Sequence, residues 1–207
     1  MKVAVHNITG KETTKKVDLS KDVFGVEPND HAIYLDVKQY LAAQRSGTHK
    51  AKERSDVKGS RRKIRKQKGS GAARVGDIKN PLFRGGGRVF GPRPRKYDFK
   101  VNKKVKRLAR KSALSYMAKD KNIIVIEDFN FDTPQTKSYA DFLSNFKLLD
   151  NKTVLVLAES NKNIFLSSRN LKKARVVLAS ELNTYDVMNA NKLMVMESSI
   201  KEIEKNF

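Results

Sequence analysis

The chain has 207 residues, room for one domain or a domain with an appendage, and its composition is 39% hydrophobic and 32% charged. It has no cysteine, which excludes disulfides and thiolate sites, and no run approaches the ~18 apolar residues of a membrane span. The net charge of +22 opposes a compact state by self-repulsion, so an anionic partner is expected.

The N-terminal stretch MKVAVHNITGKE has no apolar leader, and a soluble intracellular protein is expected. Lys2 to His6 and Lys15 to Leu19 read as short strands around a Gly-containing turn. After Pro28, Asn29 or Asp30 is placed to cap a helix with Ile33, Tyr34, Val37, Tyr40 and Leu41 on its apolar face, ending near Gly47. A second helix follows from Asn102 as N-cap, with Val105, Leu108, Ala109, Ser112, Ala113, Tyr116 and Met117 on one face. Lys103, Lys104, Lys106, Arg107, Arg110 and Lys111 cover the other.

From there short apolar runs alternate with helical patterns. Strands are expected at Ile123–Ile126, Val154–Leu157, Val176–Leu178 and Leu193–Met196. Helical segments are expected at TKSYADFLSNF (presenting Tyr139, Phe142, Leu143 and Phe146), Asn163–Arg169, Tyr185–Asn189 and Ser199–Lys205. Continuously apolar strands separated by helices predict an α/β fold, a mostly parallel sheet flanked by helices in three layers. The expected organisation is a globular α/β domain from 1–45 and 102–207, with an extended basic loop, 46–101, inserted.

That insertion carries the charge. From Arg45 to Lys111 there are 25 Lys and Arg against four acids (Glu53, Asp56, Asp77 and Asp98), a net of +21 that leaves the rest of the chain at +1. Residues 46–101 also hold nine of the 11 glycines and three of the five prolines, with few scattered apolar residues. Such a segment cannot bury enough surface to fold alone. Ordering it costs about 1–2 kcal/mol per residue, which an external polyanion is expected to offset.

Two motifs decide what kind of polyanion. KQKGSGAARVG resembles a phosphate cradle, but Gly69-Ser70-Gly71 lacks the third glycine of a dinucleotide fingerprint, follows no apolar strand, and has no Gly-Lys-Ser/Thr behind it. A plain linker would not need so many cations. RGGGRVFGPRPRKY, Arg84 to Tyr97, repeats the pattern: glycines let backbone N–H groups approach phosphates, and arginines bind phosphate bidentately. Phe83, Phe90 and Tyr97 stand alone among basic residues, suited to stacking on unpaired bases. Without a recognition helix or zinc spacing, backbone and shape recognition of folded RNA is favoured. The histidines, His6, His31 and His49, form no triad or ligand cluster in sequence, and Glu127-Asp128 is expected to act at the surface or as a cap.

The stretch RSGTHKAKERSDVKGSRRKIRKQKGSGAARVGDIKNPLFRGGGRVFGPRPRKY resembles the long loop of the ribosomal protein L-four family. VNKKVKRLARKSALS resembles the helix after it, and VFGVEPN, FDTPQTK and LSSRNL match as well. The resemblance spans essentially the whole chain. It implies a non-enzymatic structural constituent of the large ribosomal subunit, cytoplasmic, without cofactor, metal or membrane, and not a homo-oligomer. Implied partners are large-subunit rRNA, ribosomal protein L-twenty-two and other large-subunit proteins, and the nascent peptide. Early assembly and lining of the polypeptide exit tunnel are the implied roles; the alternative is a free RNA-binding regulator of its own operon.

By the same resemblance Arg45, Gly47, Thr48, His49, Lys52 and Arg54 belong to the outgoing arm. Gln67, Lys68, Gly69, Ser70 and Gly71 form the tip, with Gln67, Lys68 and Gly69 at the tunnel. Arg84, Gly85, Gly86, Gly87, Arg93 and Arg95 return. Arg61, Arg62, Lys63, Arg65, Lys66, Arg74, Arg88, Phe90, Lys96 and Tyr97 complete the expected rRNA-binding set, with Lys103, Lys104 and Arg107 on the helix. Two departures stand out. Ile64-Arg65 replaces the usual Pro-Trp, with Lys66 for the following arginine, and Ala72 replaces another arginine. The cations at 61–65 are placed to compensate.

Overall fold

The computed structural model describes residues 1–206, which separate into two compact units: Met1–Leu41 with the segment from Lys100 onward, and Ala42–Phe99. The first is built on strands β1 (Lys2–His6) and β2 (Glu12–Asp18), helices α1 (Lys21–Phe24), α2 (Asp30–Ala43, whose last residues cross the division) and α3 (Lys103–Lys119), then β3 (Ile123–Ile126), α4 (Thr136–Asn145), β4 (Thr153–Leu157), α5 (Lys162–Ser168), β5 (Ala174–Leu178), α6 (Thr184–Asn189), β6 (Lys192–Met196) and α7 (Glu197–Asn206). The six strands form one sheet in the order β2-β1-β3-β6-β4-β5. Only β1 and β2 pair antiparallel; the other neighbours are parallel.

Alternation along each strand sorts the core into two layers. Val154 and Val156 of β4 enter one cluster with Val125, Val195 and side chains of α1, α3, α6 and α7. Leu155 and Leu157 face the other way, onto Tyr139, Phe142 and Leu143 of α4 and Ile164 of α5. All five residues of β4 are buried, as a sheet covered on both faces requires. The expected α/β architecture is therefore the one observed.

Several local expectations need correcting. β2 begins at Glu12 rather than Lys15, because it pairs back to His6 through a register shift near the turn. Its side chains are mostly solvent-facing, so apolar pattern gives little warning of the start. A single helical turn, α1, follows β2 and buries Val23 and Phe24; the Ser20 hydroxyl accepts from the Asp22 N–H. In α2 the Asn29 side chain caps by accepting from the Ala32 N–H at 2.9 Å. Tyr34 and Leu41, however, are exposed, whereas Ala32 and Asp36 are buried. At 100° per residue Tyr34 and Leu41 lie near a quarter-turn from Ile33, and Asp36 takes the inward place by accepting from the Thr184 hydroxyl.

In α3 the Asn102 side chain makes no capping bond and Leu108 is exposed. The second half buries Leu114, Ser115 and Ala118 beside the expected Ala113 and Met117. Two serines there anchor the preceding segment: Ser112 Oγ accepts from the Asn29 N–H and Ser115 Oγ from the Val26 N–H, both at 3.1 Å. Asp128 accepts from the Ser198 hydroxyl at 2.7 Å and the Ser198 N–H at 3.3 Å, capping α7, and Glu127 pairs with Lys15.

Candidate nucleic-acid interface

The second unit, Ala42–Phe99, contains no helix or strand beyond the end of α2. Prolines and glycines preclude regular ladders, so its order comes from isolated contacts between chain passes. Residues 47–54 run out and 86–95 return, joined by Arg95 N–H to Gly47 O at 3.1 Å, Ala51 N–H to Pro92 O at 3.0 Å and Arg88 N–H to Lys52 O at 2.8 Å. A series of turns (Asn80 to Asp77 O, Phe83 to Asn80 O, Gly86 to Phe83 O) folds the knuckle before the return arm, which the Gly87 N–H ties to Lys79 O at 2.9 Å.

Close approach fixes several glycines here, Gly47 and Gly87 among them. At Gly47 φ is +62° and a Cβ would lie 2.1 Å from Arg95 O, a clash no relaxation of one side chain relieves. A Cβ at Gly87 would lie 2.3 Å from the Arg54 nitrogen. The expectation that the Arg-Gly-Gly-Gly run offers its N–H groups to phosphate is therefore corrected for Gly86 and Gly87, whose N–H groups are spent inside the loop. Gly85 faces open space.

Ion pairs reinforce the passes. Arg54 Nη2 meets Asp77 Oδ2 at 2.9 Å, with the Asp77 side chain only 5% exposed. Arg93 binds Glu53 through Nε at 3.0 Å and through its terminal nitrogen. Lys50 pairs with Asp56 at 3.3 Å, and hydrogen bonds from Lys50 and the Glu53 backbone hold the Asp56 carboxyl below the usual range. Glu53 raises the Arg93 guanidinium further above its usual value.

Near the loop's two ends, the Arg45 guanidinium lies 3.8 Å and that of Arg95 4.6 Å from the centre of the Tyr97 ring, with the His49 ring stacked at 6.3 Å. Hydrogen bonding to Arg95, then the charges of Arg95 and Arg45, hold the Tyr97 hydroxyl below its ordinary value. The half-buried ring expected to stack on bases thus lies against two of this chain's own cations. Phe90 is the opposite case. It is fully exposed, held at a positive φ of 51°. A bulky residue in that conformation is uncommon, so the surrounding arm contacts must hold it there.

The far end is open. From Arg61 through Arg74 every residue is exposed. The Ile64 N–H donates to Gly76 O at 3.0 Å, closing the stem, and beyond it Gly69 and Gly71 have nothing within 4 Å of where a side chain would start. Lys63 is hydrogen-bonded to Gln67. Arg61, Arg62, Arg65, Lys66, Lys68 and Arg74 have no carboxylate within ion-pair reach among the described residues. In the second unit Arg45, Thr48, His49, Lys52, Arg84, Arg88, Arg95 and Lys96 are exposed too; in the first, so are Lys103, Lys104 and Arg107 on α3. These cations stand in a row on a backbone without helices or strands, exposed to solvent. Among the described residues no group of three or more His, Asp or Glu is placed to hold a metal.

The profile of the ribosomal protein L4/L1 family matches residues 17–206. The chain belongs to that family. It is 61% identical over 204 residues to the large ribosomal subunit protein uL4 of Christiangramia forsetii, covering 99% of this chain and 98% of the relative. It is 62% identical over 206 residues to the protein of the same name from Flavobacterium psychrophilum, and 59% over 207 residues to that from Parabacteroides distasonis, each match covering 100% of this chain and 99% of the relative. As an L4/L1-family member it is a ribosomal protein of the cytoplasm and not an enzyme. No helix among the described residues is long and apolar enough to cross a membrane.

Sequence reasoning missed the loop's carboxylates as structural elements and the knuckle around Asn80. Asn80 Oδ1 accepts from the Leu82 N–H at 3.4 Å, leaving Leu82 exposed at the turn. The available signal was the rarity of acids in the segment: four among so many cations need a reason to be there.

Proposed function

We propose that the chain is a structural constituent of the large ribosomal subunit that binds large-subunit rRNA through residues 45–97 and the basic face of α3, supports early assembly, and lines the exit tunnel with Gln67, Lys68 and Gly69. The observation that carries this reading is the separation of charge from core. Residues 42–99 hold 18 Lys and Arg against four acids, and the unpaired cations cluster where the backbone is most open. Phosphates neutralising those cations would release counterions and supply the driving force. In the subunit the partners are rRNA, neighbouring proteins including ribosomal protein L-twenty-two, and the nascent peptide passing the tip.

The coarse reading is tested by co-sedimentation of the protein with large subunits and by binding to large-subunit rRNA. Protein that stays in the supernatant and binds rRNA no better than an acidic control would refute it. The tunnel role is tested by Lys68→Glu. One contact among many is lost, so subunits assemble, while susceptibility to tunnel-binding drugs or stalling of nascent peptides changes. Normal drug response with normal stalling would remove the tip from the tunnel wall.

A further inference from the structure

The loop's carboxylates are the part of the unit that RNA binding leaves unexplained. A polyanion-binding surface gains nothing electrostatic from an acid, and burying one costs desolvation. Yet Asp77 is buried, with Oδ2 on Arg54 and Oδ1 without a hydrogen-bond partner among the described residues. Glu53, adjacent to Arg54, holds Arg93 forty residues away. The two pairs tie together three chain passes: the outgoing arm at 53–54, the segment closing the stem at 77, and the returning arm at 93. They flank the backbone bonds from Arg88 to Lys52 and from Gly87 to Lys79, which alone are few. The fourth acid, Asp98, is exposed and has no side-chain partner among the described residues.

We infer that Glu53 and Asp77 are positioning residues whose carboxylates fold the neck of the loop in the free protein, so that only the tip beyond the Ile64–Gly76 stem is left to be ordered by RNA. This rests on the RNA-binding reading for its consequence, although the folded neck itself does not. Preorganisation raises affinity by removing ordering cost from the binding step. Here it would be obtained at the expense of charge, and that fixes a sign. If charge alone governs binding, removing an acid tightens it. If the two carboxylates position the arms, removing them weakens it.

The experiment compares the full chain with Glu53→Gln/Asp77→Asn and with Asp98→Asn, measuring affinity for a large-subunit rRNA transcript at fixed salt and the rate of limited trypsin cleavage without RNA. The expected result is about tenfold weaker binding for the double variant, with faster cleavage after Arg54, Lys58 and Arg88. Asp98→Asn is expected to bind at least as tightly as the parent, with unchanged cleavage. Double-variant binding equal to or tighter than the parent, in step with Asp98→Asn, overturns the inference. So does unchanged cleavage. If the parent itself shows no salt-dependent rRNA binding, the functional reading falls and cleavage alone decides the positioning role. Circular dichroism melting guards against global unfolding. Should the double variant melt early, Glu53→Arg combined with Arg93→Glu replaces it: recovered neck protection relative to Glu53→Arg alone supports the inference, and no recovery overturns it.

Discussion

The two units reach order by opposite means. The α/β unit buries Val125, Leu155, Phe142, Met194 and their neighbours on both faces of a sheet, and its surface charges are nearly balanced outside α3. The loop unit has no such core; glycine close approaches, single backbone bonds and three ion pairs hold its neck. The first kind of order is non-directional and sums over area, so it tolerates polar variation at the surface. The second depends on a few irreplaceable contacts. It leaves the exposed cations uncompensated, which is what a polyanion partner requires.

The comparison breaks most sharply if one mutation disturbs both units. Phe142→Ala removes a buried ring from the layer beneath α4 and is expected to cost about 3–5 kcal/mol, read as a large drop in melting temperature. The neck's tryptic pattern below the transition should be unchanged. A parallel loss of neck protection in the folded variant would show that the units are not independent. Gly87→Ala inverts the design. With a Cβ 2.3 Å from the Arg54 backbone, the neck should open at a cost of about 1–3 kcal/mol, seen as faster amide exchange at Gly87 and Arg88, while the main melting transition stays in place.

Much of this division was legible in the sequence. Apolar runs such as Ile123–Ile126 and Val154–Leu157 announce buried parallel strands because every residue in them must face a core layer. The charge step at Arg45 and the glycine density mark the insertion. What could not be seen is long-range and polar. Arg54–Asp77 and Glu53–Arg93 span 23 and 40 residues with no periodicity to expose them. The placing of Arg45 and Arg95 against the Tyr97 ring is equally invisible in the sequence. The inward turn of Asp36 likewise depends on Thr184, 148 residues away.

Smaller effects sharpen the same contrast. Phe90→Ala should leave melting unchanged, since the ring is fully exposed, yet weaken rRNA binding by about 1–3 kcal/mol if the ring stacks on a base. Unaltered affinity would assign Phe90 to a protein contact or to none. Gly69→Ala should leave neck protection unchanged and cost at most about 1–2 kcal/mol, confined to the tip. Nothing lies within 4 Å of the added methyl, but φ there is +83°, which strains any L side chain.

The salt dependence of rRNA binding tests the central claim most directly. With roughly 10 phosphates neutralised, log affinity should fall against log salt with a slope near −7 to −9. Replacing Arg61, Arg62 and Arg65 together by Ala should flatten that slope by about 2–3 without moving the melting transition. A slope unchanged by the triple replacement would place the phosphate contacts away from the open stretch at 61–74 and contradict the account.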